Sequence, residues 1–192
     1  SLLNSIFPDT SISKRLCNVT YLLDRPANNV LSEPIFRAFN SNGFFLCIKS
    51  LPDFEPTVRK GRVFSHVLFI EHSELEQVQD LKLLDSMFMK EINKTAVLHP
   101  LEIKNLHNIP LISSCVEPRI NFALNQLVEN KIEHDTLLWD GFWGYFEFIN
   151  AIWPNLPTEL RLKANLGAIF NTKNINSDKF NLLYFLNNSN SS

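Results

Sequence analysis

A thiol and an imidazole could meet on neighbouring strands of this chain. Cys47 lies in the apolar run 44–48, and His66 lies in the apolar run 62–70. Such a pair can serve as a nucleophile and its general base, because the partners meet in space rather than in sequence. Cys47 stands between two aliphatic residues, where burial would raise the pKa of the thiol and lower its reactivity. We therefore expect an inert thiol and a core histidine, and keep a thiol-dependent hydrolase as a further alternative.

Two carboxylates and a lysine offer a second kind of chemistry. Asp53 follows a proline, and Glu102 and Lys104 are separated by one residue. In nucleases of the restriction type, two carboxylates hold a divalent cation and a lysine helps to position the attacking water. The interval between Asp53 and Glu102 is longer than that pattern usually has. A metal-dependent nuclease that uses these three residues is therefore the alternative function.

Other catalytic and cofactor motifs are missing from the sequence. The histidine spacings 66/72 and 99/107 do not resemble the short ligand spacings of closed zinc sites. A phosphate-binding loop needs clustered glycines after a strand, and the only close pair, Gly141 and Gly144, falls in an aromatic stretch. The sequence predicts no metal, no cofactor and no catalytic residue, and it favours a protein that is not an enzyme.

Two clusters could contact a partner. Arg59, Lys60 and Arg62 form a short basic cluster that could grip phosphate or an acidic protein surface, although so short a run is more often a solvated strand entry. The aromatic residues of 139–153 are too many for one helical stripe, so some of them must cover another element or a partner. Core packing is the default role of these rings, and we predict a partner surface formed by Trp143 and Tyr145.

Composition restricts the class of protein. The chain has 192 residues, of which 45% are hydrophobic, and 18 Lys and Arg residues against 20 Asp and Glu residues give a formal net charge of -2. Nucleic acid is therefore not an expected partner. Three widely spaced cysteines suit a reducing compartment, and the longest apolar run is shorter than the ~20 residues of a membrane-spanning helix. We expect a cytoplasmic, single domain over 1–186, excised from a longer polypeptide, with a polar tail over 187–192.

Hydrophobic patterns predict an α/β or α+β fold with a mixed sheet. Its central strand should lie at about 62–70, because both faces of that segment are largely apolar. Helices at about 74–89, 118–130 and 141–153 should pack on the sheet. The first helix begins with a capping-box spacing and is interrupted near Asp80. Further strands are predicted over 16–23, 44–48, 162–170 and 180–186, an extended stretch over 96–98, and a short helix over 33–39.

The segment 44–88 resembles the N-terminal module of the GTPase-associated proteins of bacterial conflict, or defence, systems. The resemblance consists of an extended aromatic segment, a proline-containing loop, the basic residues around Gly61, a Val-Phe-Ser-His motif with an aliphatic run, and an acidic helix start. A weaker likeness covers 152–154, 160–161 and 162–170. The resemblance implies an assembly or sensing module attached to a GTPase or effector partner. Together with the missing site chemistry, it predicts a non-enzymatic protein-interaction or assembly module of an antiphage complex.

Overall fold

The computed structural model describes residues 10–22, 25, 31, 33–57, 61–89, 117–128, 136–171, 173, 175 and 180–186. Their order along the chain is α1 (Thr10–Thr20), β1 (Ile35–Ser41), β2 (Phe44–Pro52), β3 (Val63–Glu71), a 3-10 helix (His72–Gln77), α2 (Leu81–Met87), α3 (Glu117–Val128), β4 (Thr136–Asp140), α4 (Tyr145–Ile152), a second 3-10 helix (Trp153–Asn155), α5 (Thr158–Arg161), β5 (Ala164–Ile169) and β6 (Phe180–Phe185). None of these helices is long and apolar enough to span a membrane.

The six strands form one mixed sheet in the order β3-β2-β1-β5-β6-β4. The first four strands of that order pair antiparallel, and β5, β6 and β4 pair parallel. This arrangement confirms the predicted mixed sheet with helices packed on it. The predicted strands over 44–48, 162–170 and 180–186 are present as β2, β5 and β6.

The main core lies on the sheet face that packs against α2 and α4. Alternate residues of every strand point to this face, and they meet Leu81 and Leu84 of α2 and Phe148 and Ile152 of α4 in one buried cluster. A smaller cluster on the opposite face joins Leu16 of α1 to three strand residues, which are Phe39, Leu46 and Ile48. The sheet is thus covered on both faces over β1 and β2.

An Asn-Gly turn joins β1 to β2, and it replaces the helix predicted over 33–39. Asn42 and Gly43 both have positive φ, 46° and 83°, as the tight turn between two antiparallel strands requires. The register continues from Ser41↔Phe44 to Ile35↔Ser50. The helix prediction was wrong because it gave no weight to this turn, which is a strong short-range signal for a hairpin.

The strand predicted over 16–23 is also wrong, because α1 occupies Thr10–Thr20. The segment is helical although its composition favours a strand, because Leu16 and Val19 have helical spacing and pack on the sheet from one side of the helix. This is tertiary packing overriding a weak local preference.

The strand predicted as central, 62–70, is real but lies at the edge of the sheet among the described strands. Its two faces are apolar because α1 approaches from one side and the α2 region from the other. Ser65 Oγ donates to the carbonyl of Thr20 at 2.7 Å, and the Met89 N–H donates to His66 Nδ1 at 2.9 Å. Coverage of both faces, rather than a central position, explains the pattern.

The three predicted helices are present with changed limits. The segment 74–89 divides into a 3-10 helix and α2, as the predicted interruption near Asp80 requires, and 118–130 corresponds to α3. The helix predicted over 141–153 begins only at Tyr145, because Gly141 and Gly144 have φ of 71° and 74° and form a turn. The extended stretch predicted over 96–98 lies outside the described residues. Strand β4 was not predicted.

Candidate interaction site

The proposed nuclease residues do not form a metal site in the described part of the chain. Arg62 Nε and Nη2 lie 2.8 Å and 2.6 Å from Asp53 Oδ2, and the Glu55 N–H donates to Asp53 Oδ1 at 3.1 Å. The Asp53 carboxylate therefore accepts charge-assisted hydrogen bonds from Arg62, and these bonds close the loop after β2. Glu102 and Lys104 lie outside the described residues. Among the residues described, no three His, Cys, Asp or Glu side chains could hold a metal ion.

The ion pair between Arg62 and Asp53 also involves a residue of the predicted basic cluster. Arg62 also lies 3.6 Å from Glu55, so two carboxylates are already next to its guanidinium. Arg59 and Lys60 lie outside the described residues. Arg62 acts here as an anchor of the loop between β2 and β3, and contact with a partner stays a prediction for the cluster.

Cys47 and His66 lie on the same sheet face, because Cys47 pairs with Leu68 and the next same-face pair is Lys49 with His66. Burial raises the pKa of the Cys47 thiol far above its usual value, which keeps it protonated. His66 Nδ1 accepts a hydrogen bond from the Met89 N–H, and its ring meets Phe88 edge to face at 5.5 Å. These surroundings suit a buried thiol and a structural histidine rather than a nucleophile and its base.

Stability should fall as the pH is lowered through the titration range of His66. Burial lowers the pKa of this imidazole in the folded state below the unfolded value of about 6.5, so the unfolded chain binds the proton more readily. The stability that the neutral His66 side chain contributes is present above pH 6.5 and is lost as the pH falls toward its pKa in the folded state. Urea unfolding at pH 7.5 and 5.0 measures the loss. His66→Gln should reduce this loss; an equal pH response in His66→Gln and the wild type contradicts the assignment.

Tyr145 is fully buried, so the predicted partner surface does not include it. Its hydroxyl donates to the Leu182 carbonyl at 2.6 Å and accepts from the Gly167 N–H at 2.7 Å, bridging β5 and β6. Burial, reinforced by the neighbouring Tyr184, raises the pKa of this phenol well above its usual value. The side chain that was predicted to meet a partner instead holds two strands together.

Removing the Tyr145 hydroxyl should destabilise the fold. Tyr145→Phe leaves one buried N–H and one buried carbonyl without this partner, and we expect the free energy of unfolding to drop by about 1–3 kcal/mol. Urea unfolding followed by circular dichroism measures the change. Tyr21→Phe, at a side chain 67% exposed, is the matched control and should change it by less than about 0.5 kcal/mol. No change in Tyr145→Phe shows that the strands close without the bridge.

Trp143 is exposed, and its contact with a partner stays a prediction. It is 60% exposed, and its neighbour Phe142 is 41% exposed. The turn that carries them is held firmly, because Trp139 Nε1 donates to the Trp143 carbonyl at 2.8 Å. Behind the turn, the Arg119 guanidinium lies 3.9 Å from the centre of the Trp139 ring. We call Phe142 and Trp143 the aromatic turn.

The residues of the weaker likeness, 152–154 and 160–161, form a local clamp. Arg161 is buried, and its guanidinium donates to the carbonyls of Pro154 at 2.8 Å and Leu156 at 3.1 Å while it faces the Trp153 ring. Burial lowers the pKa of Arg161 from its usual value. These contacts fix the turn after α4 and explain why an arginine is tolerated in the interior.

Sequence reasoning missed a pocket beside the aromatic turn. Its volume is about 310 Å³. It is lined by Glu33, Pro34, Ile35, Phe36, Lys49, Asp85, Phe142 and Phe146. The one usable signal was Lys49, a cation at the end of an apolar strand. The other lining residues come from separate segments that only the fold brings together.

The mixed sheet and its helices define an α+β protein. Residues 2–88 match the family model of GTPase-associated protein 1, N-terminal domain type 1, which confirms the resemblance found in the sequence. The described part of the matched stretch runs from α1 through the three antiparallel strands to α2. No curated protein and no solved structure is significantly similar to the chain.

Proposed function

We propose that this chain is a non-enzymatic protein-interaction or assembly module of a bacterial antiphage or conflict complex, with a GTPase or an effector protein as its partner. The observation that carries the proposal is the match of residues 2–88 to the N-terminal domain of a GTPase-associated protein. The surroundings of Cys47, His66 and Asp53 support it, since each side chain is engaged in packing or in an internal bond. A cytoplasmic location follows from such a partner and from the three cysteines.

We further propose that residues 1–186 form a single domain in which the matched module is joined to the rest of the chain. Support comes from bonds that cross between the two parts. Asn40 Nδ2 donates to the carbonyls of Arg161 and Ala164, at 2.9 Å and 3.2 Å. The Leu81 N–H donates to Asn150 Oδ1 at 3.0 Å. Buried polar groups satisfied across a boundary resist separation of the parts.

The aromatic turn is our candidate for the contact surface. Exposed tryptophan and phenylalanine on a rigid turn supply apolar contact area at little cost in conformational entropy, and tryptophan is enriched among the residues that dominate binding energy. Arg62 is a weaker candidate, because Asp53 and Glu55 already compete for its guanidinium. The cluster Arg59, Lys60 and Arg62 is retained as a second contact in the proposal.

The direct test is to use the full chain to capture its partner from its native host. Mass spectrometry then identifies the partner, and a nucleotide-binding assay on the purified partner asks whether it is a GTPase. We expect a stable complex on size-exclusion chromatography. Metal-dependent turnover of nucleic acid by the purified chain would defeat the non-enzymatic proposal.

Trp143→Ala should weaken the captured complex while leaving the fold intact. Loss of an exposed anchoring tryptophan typically costs a factor of about ten or more in the dissociation constant when the residue is a binding hot spot. Titration calorimetry with the purified partner measures it. Tyr21→Ala, which removes another exposed aromatic side chain, is the matched control and should leave the affinity unchanged. Equal affinities for Trp143→Ala and Tyr21→Ala place the contact elsewhere.

A further inference from the structure

Three of the eight residues that line the pocket beside the aromatic turn are phenylalanines. The rings of Phe36 and Phe146 lie 5.4 Å apart, and those of Phe142 and Phe146 lie 5.8 Å apart nearly perpendicular to each other. The pocket volume of about 310 Å³ is close to the lower limit for small-molecule sites. A guest must therefore be small and have an apolar body.

The charges around the pocket do not cancel. Lys49 Nζ lies 2.6 Å from Asp85 Oδ1, and its side chain is only 19% exposed, so this cation is neutralised by its partner. Glu33, an exposed residue of the lining, has no ion-pair partner within the described part of the chain and adds a second negative charge. Two carboxylates against one ammonium leave the lining with a net charge of −1. An anionic guest is disfavoured, and a cationic guest is attracted.

We propose that this pocket binds an organic cation, an alkyl guanidinium or alkyl ammonium group, with its positive charge between Glu33 and the Phe142 ring and its carbon chain against Phe36 and Phe146. Aromatic rings attract such cations through their negative faces, and a guanidinium also stacks on them. The apolar chain fills the rest of the pocket as the stem of a lysine or arginine side chain would. This inference goes beyond the proposed function, because the guest binds the isolated chain without a partner protein.

The chemistry of the guest is tested with three probes of similar size. n-Butylguanidinium carries the charge, n-butylurea is its neutral counterpart, and pentanoate is an anion. NMR or calorimetric titration of the full chain should give a dissociation constant on the order of 1 mM for n-butylguanidinium and weaker binding for the other two. Equal binding of the urea, tighter binding of pentanoate, or no binding of the guanidinium overturns the proposal.

Variants separate the role of the charge from that of the rings. Glu33→Gln should weaken the guanidinium by about threefold and leave n-butylurea unchanged, as expected for a solvent-exposed charge pair. Glu159→Gln, at an exposed glutamate outside the pocket, is the matched control and should change neither probe. Phe142→Leu keeps apolar bulk but removes a π face, and it should also weaken the guanidinium selectively, by about threefold. Equal losses for both probes in Phe142→Leu contradict the role of the ring.

A peptide probe distinguishes a protein side chain from a small molecule as the natural source of the cation. A pentapeptide of four glycines around a central arginine presents the same guanidinium on a polypeptide. Tighter binding of this peptide than of n-butylguanidinium identifies a protein side chain as the guest. Binding of the free cation alone identifies a small molecule, and both results support the proposed chemistry.

Discussion

Replacing Gly167 with alanine is expected to lower the free energy of unfolding by about 3–5 kcal/mol. Gly167 has φ of 103°, a conformation that side chains rarely adopt. A Cβ at this position would contact the Phe36 carbonyl oxygen and the Arg37 Cα far inside van der Waals distance, at 2.0 Å and 2.7 Å. Both obstacles are backbone, so no side chain can move aside. Chemical unfolding followed by circular dichroism measures the loss.

The position of Gly167 in the sheet makes this loss informative. It pairs with Arg37 where β1 of the matched module joins β5, and only three residue pairs form that junction. Gly43→Ala is the matched control, because Gly43 also has positive φ but a Cβ added there would have nothing within 4 Å. It should cost about 1–2 kcal/mol, from backbone conformation alone. Equal losses in Gly167→Ala and Gly43→Ala contradict the close approach of β1 and β5.

Trp153→Ala should be comparably damaging, with an expected loss of about 3–5 kcal/mol. Trp153 is fully buried, its ring stacks on Phe45 at 5.4 Å, and its Nε1 donates to the Val78 carbonyl at 2.7 Å. Truncation leaves a large cavity and an unpaired buried carbonyl at once. Thermal and urea unfolding measure the change in stability.

Two variants test how much of that loss comes from burial of the ring and from the indole hydrogen bond. Trp153→Phe keeps much of the ring packing and removes the indole N–H, and we expect it to cost about half as much as Trp153→Ala. Trp143→Ala removes the same type of side chain at a position 60% exposed and should cost less than about 1 kcal/mol. A loss in Trp153→Ala as small as that in Trp143→Ala shows that the 153 side chain does not fill the core.

Gly167 and Trp153 have a shared role, because both join the part of the fold matched by the family to the remainder. Phe45 and Val78 belong to the matched range 2–88, and Trp153 lies beyond it. The Phe36 N–H likewise donates to the Tyr184 hydroxyl at 3.3 Å across the same boundary. The matched module therefore shares its core and its sheet with the segment that follows it.

The sequence alone predicted the segments in which local signals and final burial agree. The continuous apolar runs gave β2 and β3, and the helical spacing with Pro118 gave α3. The family resemblance was also readable, because its motif lies within one continuous stretch. The segments of α1 and β1 were predicted wrongly for different reasons. In α1, β-favouring residues were weighed above helical spacing, and in β1 the Asn42-Gly43 turn was overlooked although it was visible.

What the tertiary structure decided is which side chains share a surface. Trp143 and Tyr145 are two residues apart, yet one is exposed and the other bridges two strands, because the Gly144 turn changes the direction of the chain between them. The partners of Asp53 and the walls of the pocket were likewise set by strand register and helix packing. Residue types and local periodicity can be read from the sequence, whereas burial and charge pairing depend on contacts between distant segments.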